Sequence, residues 1–397
     1  MTTSTLDAVA DLKAAADRAM SRADPRAARD LFERAVGLAP DRLELWIGLA
    51  ACRRALGEAE ASLLAVEGAL KVEPRYFPAL LMKASLLEAL GRGRQAAKAY
   101  GTALLLAPPS DSLAEPTRRA LDHAKDVQER YVTELAASLK AEAGLSGGAQ
   151  ASAESRRADT FIEAIVGRRK IYHQEPVQFH YPGLAAIEFH ERGDFPWLEA
   201  FEAYTDDIRA EVLSVWAEGS PDLVPYISYG DGLPLDQWAE LNRSLSWSAF
   251  HLLLDGAPVE ANCRRCPATM AALALADQPR VQGRSPAAMF SILRPRTRIP
   301  PHTGVANTRL VVHLPLIVPE GCGFRVGGET RPWRMGEAWV FDDTIEHEAW
   351  NDSDQPRAIL ICDVWNPRLS PGERELVARV SAAMDRFNAE PASGAGL

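Results

Sequence analysis

The 397-residue chain carries 44 Lys+Arg against 54 Asp+Glu, for a formal net charge of −10, and it is 47% hydrophobic. That length predicts two or three domains with sizeable cores, and the acidity excludes the basic footprint of nucleic-acid binding: even the first 110 residues hold only 15 basic against 13 acidic side chains. No apolar run approaches the roughly 18 residues of a membrane span, the N-terminus has no basic-then-apolar order of a signal peptide, and five scattered cysteines suit reduced thiols, so a cytoplasmic protein is expected.

The first third repeats. Pro40, Pro74 and Pro108 lie 34 residues apart, as do Ala35, Ala69 and Ala103, and Phe32, Val66 and Tyr100. Gly57 and Gly91, and the small residues Ala28, Ser62 and Ala96, keep the same period. Small residues let paired helices approach, large ones fill between them, and Pro ends each second helix. Trp46, Leu49, Gly57, Ala69 and Pro74 of the copy "LWIGLAACRRALGEAEASLLAVEGALKVEP" resemble the tetratricopeptide pattern, with Ser62 and Arg53 as departures. Such a solenoid is expected to bind a peptide or protein, or to serve dimerisation. A further helical pattern over 113–143 is expected to cap it. The Gly/Ala/Ser-rich stretch "GLSGGAQASAES" reads as a linker. The predicted division is therefore a helical domain at 1–143, a linker at 144–160 and a second domain at 161–397.

In that second domain, 194–219 reads as one helix with Leu198, Phe201, Ile208, Val212 and Val215 on its stripe. The segment 235–256 passes from a short helix to a strand that ends in the turn Asp255-Gly256. "CPATMAALALAD" is a second amphipathic helix. From 287 to 366 come seven short strand-like runs separated by Gly, Pro and Asp turns: "AAMFSILRP", "RLVVHLPLIVP", "GFRVGG", "TRPWRMG", "EAWVFDD", "EHEAWNDS" and "RAILICDVW". This spacing predicts an antiparallel double-sheet or closed barrel of jelly-roll (cupin) type, with the upstream helices buttressing one face.

Three histidines fall in this region. His302 follows "PP" at a loop-to-strand junction, His313 lies inside "RLVVHL", and His347 follows "FDDTIE". Two imidazoles 45 residues apart suit a metal held between returning strands, and two His plus a carboxylate would leave positions open for co-substrate and O₂ on Fe(II). Buried core histidines are the competing reading, strongest for His313 between Val312 and Leu314. The carboxylate of an H-x-D/E pair is absent, because Gly304 occupies its position.

The run "PHTGVANTRLVVHLPLIVPEGCGFRVGGE", continued by "GEAWVFDDTIEHEAWNDSDQPRAILICDVWNP", closely resembles the catalytic core of the aspartyl/asparaginyl β-hydroxylase family. The likeness extends upstream to about residue 180. It implies an Fe(II)/2-oxoglutarate dioxygenase on a double-stranded β-helix. His302 and His347 would be the iron ligands, with Gly in place of the acid. Arg357 would grip the 2-oxoglutarate C5 carboxylate with help from Ser291, and His313 would contact C1. Val311 stands where some members carry an Arg, and Arg309, on the same strand face as His313, is a candidate replacement. The implied reaction consumes 2-oxoglutarate and O₂ and hydroxylates an unactivated carbon, first of all the β-carbon of Asp or Asn in a peptide or protein. The alternatives are a lipid or small-molecule hydroxylase, a non-catalytic adaptor with a degenerate barrel, and a zinc cupin hydrolase or isomerase.

Other features read as structural. Cys263-x-x-Cys266 lacks a second pair and is expected to be two incidental thiols. Asp342, Asp343 and Glu346 could add an iron ligand or could hydrogen-bond the imidazole at His347. Trp339, Trp350 and Trp365 are expected to pack the barrel.

Overall fold

The computed structural model describes residues 3–145, 152–217 and 222–388. The chain divides into two units between Val166 and Gly167.

In the first unit the 34-residue period becomes a run of helix hairpins: α1 (Thr3–Ser21), α2 (Pro25–Leu38), α3 (Leu43–Ala55), α4 (Ala59–Val72), α5 (Phe77–Ala89) and α6 (Gly93–Leu105). Each packs on the next, and the long α7 (Glu115–Glu142) closes against α6. The repeating glycines have a mechanical role. Gly57 (φ 76°) and Gly91 (φ 73°) take the left-handed conformation just beyond α3 and α5, where a Cβ would be strained. The repeating alanines are sealed between helices, with Ala28, Ala35, Ala50, Ala69 and Ala84 each at 0% exposure. Ser62 fits the same slot because its hydroxyl donates to the Ala50 carbonyl at 2.8 Å.

The expected linker needs correction. Residues 146–151 lie outside the described residues, but α8 (Ala153–Ile165) starts within the expected linker and runs past its end. The Ser152 side chain caps it by accepting from the Ser155 N–H, and Lys140 of α7 pairs with Asp159 and Glu163 at 2.7 Å each. The helix therefore belongs to the first unit, and the boundary expected at 161 falls at 166/167.

The second unit has α9 (Leu198–Glu202), α10 (Thr205–Ala217), β1 (Val224–Pro225), β2 (Trp247–Leu254), β3 (Ala257–Pro258), α11 (Glu260–Arg265), α12 (Pro267–Leu273), β4 (Ala288–Leu293) and β5 (Thr297–His302). Then follow β6 (Arg309–Ile317), β7 (Cys322–Val326), β8 (Glu329–Arg331), β9 (Trp339–Phe341), β10 (His347–Asn351), β11 (Arg357–Trp365) and α13 (Pro371–Asn388). The strands form two antiparallel sheets. One has the order β1-β2-β4-β11-β6-β9 with β3 paired to β2, and the other has the order β5-β10-β7-β8. From β4 onward the chain passes back and forth between them.

Strand periodicity explains the core. On β6, Leu310, Val312, Leu314 and Leu316 face the helices α9, α10 and α12, where Phe201, Ile208, Val212 and Leu273 meet them. The alternate residues face the second sheet, where Val311 and Ile359 of the large sheet pack with Ile299, Phe324 and Val326 of the small one. The helix expected over 194–219 is broken into α9 and α10 at Ala203–Tyr204, with the Thr205 hydroxyl donating to the Glu202 carbonyl at 2.6 Å. All five stripe residues remain buried. Asp255 (φ 51°) and Gly256 (φ 82°) form the β2–β3 turn with both central residues left-handed, as the hairpin signal requires.

β5 and α13 are among the elements with no counterpart in the sequence reading. β5, "TRIPPH", contains Pro300 and Pro301 and reads as loop, but it is the edge strand of the small sheet, where a missing N–H is tolerated. α13 lies beyond the last expected strand. Among the described residues, no helix is long and apolar enough to cross a membrane.

Candidate active site

Pairing of β5 with β10 decides the site. His302 ends β5, His347 begins β10, and the two are direct register partners. Their ring centroids are 4.1 Å apart. Each ring is oriented by its own strand: His302 Nδ1 lies 2.8 Å from the Pro300 carbonyl, and His347 Nδ1 lies 3.0 Å from the Ile345 carbonyl. Donation from Nδ1–H to these carbonyls leaves both Nε2 lone pairs free. Burial keeps both imidazoles neutral, pushing His302 down to about 3, with further lowering by His347, and His347 down to about 4.

Both rings line a cavity of about 280 Å³ between the sheets, together with Ser291, Arg309, His313 and Arg357. All six residues named from the sequence are thus brought together. Arg357 opens β11 and, by the two-residue period, turns inward with Ile359 and Ile361. It is 1% exposed, lies over the Trp333 ring at 5.0 Å and donates to Ser291 Oγ at 3.3 Å. Its Nε has no partner, and among the described residues no carboxylate pairs with it. Burial lowers its pKa to about 10, so it stays charged at neutral pH. Ser291 Oγ also accepts from Trp247 Nε1 at 3.0 Å. With two donors on its oxygen, the hydroxyl hydrogen is left to donate elsewhere.

His313 is 6% exposed between the Phe324 and Phe341 rings, with centroids at 5.0 and 4.7 Å. Its Nδ1 has no partner, and burial together with Arg357 holds it well below the ordinary histidine range. Arg309 lines the cavity on the same strand face as His313, and its Nη2 lies 3.3 Å from Asp343 Oδ2.

The three acids before His347 separate clearly. Asp342 accepts from the Thr344 N–H and hydroxyl, and Glu346 accepts from Arg325. Only Asp343 reaches the cavity. Its carboxylate fills the space that a side chain at residue 304 would need: a Cβ on Gly304 would lie 2.1 Å from Asp343 Oδ2. Asp343 Oδ1 is buried without a partner. Burial raises the pKa of this acid, and Arg309 and His302 oppose the rise. Among the described residues no group of three or more His, Cys, Asp or Glu is arranged to hold a metal, so a metal between the sheets would rest on the two histidines.

Sequence reasoning missed the aromatic wall. Tyr226 stacks on Trp247 at 3.8 Å, and Trp238 meets His302 edge-on at 5.1 Å. These rings come from the connection between β1 and β2 (Tyr226 and Trp238) and from the start of β2 (Trp247), and nothing local marks them as part of a cavity. Trp339 and Trp365 pack in cores as expected, and Trp350 covers Gly323. Cys263 and Cys266 are free thiols, and burial raises both pKa values, Cys266 to about 12.

The profile of the aspartyl/asparaginyl β-hydroxylase family matches residues 202–367. The chain is 40% identical over 181 residues to the human aspartyl/asparaginyl beta-hydroxylase, covering 45% of this chain and 24% of that protein. It is 33% identical over 200 residues to an ornithine lipid ester-linked acyl 2-hydroxylase of Rhizobium tropici, covering 50% of this chain and 67% of that one. The chain belongs to the aspartyl/asparaginyl β-hydroxylase family. It spans only 24% of that human protein and 19% of the mouse aspartyl/asparaginyl beta-hydroxylase. Solved structures similar to the helical region include the Arabidopsis OM64 TPR domain, 18% identical, covering 32% of this chain and 98% of that one at a TM-score of 0.28. The β-hydroxylase family match contains His302, His347, Ser291, Arg309, His313 and Arg357.

Proposed function

We propose that the chain is an Fe(II)/2-oxoglutarate-dependent dioxygenase that hydroxylates an unactivated carbon, on eight strands, β4 to β11, wound as a jelly roll. One observation carries the reading. Arg357 is a fully buried guanidinium with an unpartnered Nε and, among the described residues, no acid paired with it, in the same cavity as two neutral imidazoles that face each other. Burying a cation without an anion costs several kcal/mol, and a dicarboxylate co-substrate removes that cost.

The donor set fits the group. His302 and His347 would hold the iron through Nε2. Bound iron would supply the redox chemistry in which O₂ and 2-oxoglutarate become succinate and CO₂ as a C–H becomes C–OH. Arg357 and the Ser291 hydroxyl would bind the far carboxylate of 2-oxoglutarate by charge-assisted hydrogen bonds. His313 and Arg309 would meet the carboxylate nearest the metal, Arg309 acting in place of the family Arg absent at Val311. The aromatic wall from Tyr226 to Trp247 would keep bulk water out.

Two substrate classes remain in view. The family name supports Asp or Asn β-carbons in a peptide or protein. An acyl chain is the second class, supported by the higher coverage of the Rhizobium acyl hydroxylase. The repeat unit is proposed to bind a peptide partner, on its 34-residue periodicity alone. The reading is tested by titrating Mn(II) and then 2-oxoglutarate into the protein by calorimetry. A dioxygenase binds both, with His302→Ala losing the metal and Arg357→Met losing the co-substrate. An adaptor with a degenerate barrel binds neither.

A further inference from the structure

The connection between β8 and β9, residues 332–338, reads "PWRMGEA". Its second half is pinned by backbone hydrogen bonds. The N–H of Gly336 (φ 80°) donates to the Pro315 carbonyl of β6 at 3.0 Å, and the Ala338 N–H donates to Glu202 Oε1 at 2.6 Å. Its aromatic residue, Trp333, is 7% exposed. Phe324 of the small sheet and Trp339 of the large sheet stack with the indole, at centroid separations of 5.4 and 5.7 Å and interplanar angles of 20° and 9°. The ring is therefore held by neighbours from both sheets.

Packing does not explain why this residue is a tryptophan. Trp333 Nε1 is buried with no hydrogen-bond partner. A buried indole ordinarily sits where its N–H reaches an acceptor, and leaving it without one carries a desolvation penalty. Phe or Leu would fill an apolar slot without that penalty. What an indole has over both is the strongest π face for a cation, and the attraction is largest where the cation is desolvated. Such a cation is present. The Arg357 guanidinium lies over the Trp333 ring at 5.0 Å, it is 1% exposed, and among the described residues no carboxylate pairs with it. A carboxylate in that place would occupy the guanidinium N–H groups and compete with an incoming anion. A ring face attracts the charge and leaves those donors free.

We propose that Trp333 is a positioning residue for the co-substrate: its ring face stands in for a counter-ion to Arg357 and holds the guanidinium of the empty cavity in the pose that receives the far carboxylate of 2-oxoglutarate. The proposal rests on the hydroxylase reading and goes beyond it, because Trp333 does not itself line the cavity and acts only through Arg357. Without the ring, the long Arg357 side chain is free to take other rotamers. The apparent affinity for 2-oxoglutarate then falls with the fraction of molecules that keep the receiving pose.

The test uses the full chain, with Mn(II) and then 2-oxoglutarate titrated by calorimetry into the wild type, Trp333→Leu and Trp333→Phe. Leu removes the π face, and Phe restores a weaker one. Trp333→Leu should bind 2-oxoglutarate at least about tenfold more weakly, as loss of a desolvated cation–π contact implies. Trp333→Phe should recover part of that loss, and both variants should bind Mn(II) like the wild type. Thermal melts add a readout that needs no ligand. Trp333→Leu should lower the melting temperature more in the chain that keeps Arg357 than in Arg357→Met, whereas a ring that only packs would give the same fall in both. Wild-type affinity for 2-oxoglutarate in Trp333→Leu, equal losses in the Leu and Phe variants, or an equal fall in the two backgrounds would overturn the proposal. Should Trp333→Leu not fold, Trp333→Phe takes its place: weaker 2-oxoglutarate binding with unchanged Mn(II) binding is expected, and wild-type affinity would overturn the proposal. A wild type that binds neither Mn(II) nor 2-oxoglutarate would end the hydroxylase reading and this proposal with it. Normal wild-type binding with insensitive Trp333 variants would end the proposal alone.

Discussion

His302 and His347 face each other across β5 and β10 as register partners, each with Nδ1 turned to the carbonyl two residues before it. The backbone thus fixes both tautomers before any ligand arrives. Replacing either ring by Ala should weaken Mn(II) binding at least about tenfold, the lower end for loss of support to a metal site. Calorimetry on folded variants checks this.

Gly304 is held to glycine by Asp343. A methyl there overlaps the carboxylate at 2.1 Å, so Gly304→Ala should destabilise the second unit by about 1–3 kcal/mol. Asp343→Ala in the same chain removes the obstacle. The double variant should therefore be more stable than the sum of the singles by about 0.5 kcal/mol or more. Urea unfolding of the four chains gives the coupling, and simple additivity would refute the steric account.

As the proposed anchor of the co-substrate, Arg357 trades stability for binding. It is buried over Trp333 with Ser291 as its polar partner. Arg357→Met should leave the protein equally or more stable, since an uncompensated buried charge is removed, while 2-oxoglutarate binding is lost. A thermal melt beside a 2-oxoglutarate titration separates the effects. A large fall in melting temperature would mean the guanidinium is structural.

His190 should make the second unit acid-sensitive. Its ring is buried with both nitrogens unpartnered, and burial lowers its pKa to about 4 against the opposing pull of Asp194 and with the help of Arg368. As pH falls below the unfolded value of about 6.5, the unfolded chain takes the proton first, and stability drops by up to about 1.4 kcal/mol per pH unit until the folded pKa is reached. His190→Phe should flatten that slope. An unchanged slope in denaturant titrations between about pH 6 and pH 4.5 would show that His190 does not contribute.

The helical unit carries a prediction opposite to helix propensity. Gly48 sits inside α3, and a Cβ there would lie 2.3 Å from the Phe32 ring. Alanine should gain about 1 kcal/mol of intrinsic helicity. It should nevertheless cost more than that, because Phe32 is 2% exposed and cannot move aside. A stabilised Gly48→Ala variant would show that the ring is freer than it looks.

Legibility in the sequence followed the range of the physics involved. The solenoid was readable because one contact, small residue against helix, recurs at Ala35, Ala69 and Ala103. Arg357 was readable by resemblance alone, because its place at the start of a strand reads by itself as a surface charge. β5 was hidden because Pro300 and Pro301 are strand breakers except at an edge, and edge position is a property of the assembled sheet. α8 was hidden by the Gly/Ala/Ser composition before it, although the Ser152 cap and the acids opposite Lys140 gave a local signal. Trp247 became part of the site only through β2 pairing beside β4, which no local pattern records. Asp343 could be named among three acids but not chosen, because the choice depends on the space left by Gly304.

The most direct test is anaerobic titration of the protein with Fe(II) and 2-oxoglutarate, followed by visible absorption. The account predicts a weak metal-to-ligand charge-transfer band that requires both additions, vanishes in His302→Ala and His347→Ala, and needs far more 2-oxoglutarate in Arg357→Met. Fe(II) bound equally well by the wild type and both alanine variants, with no band on adding 2-oxoglutarate, would contradict it.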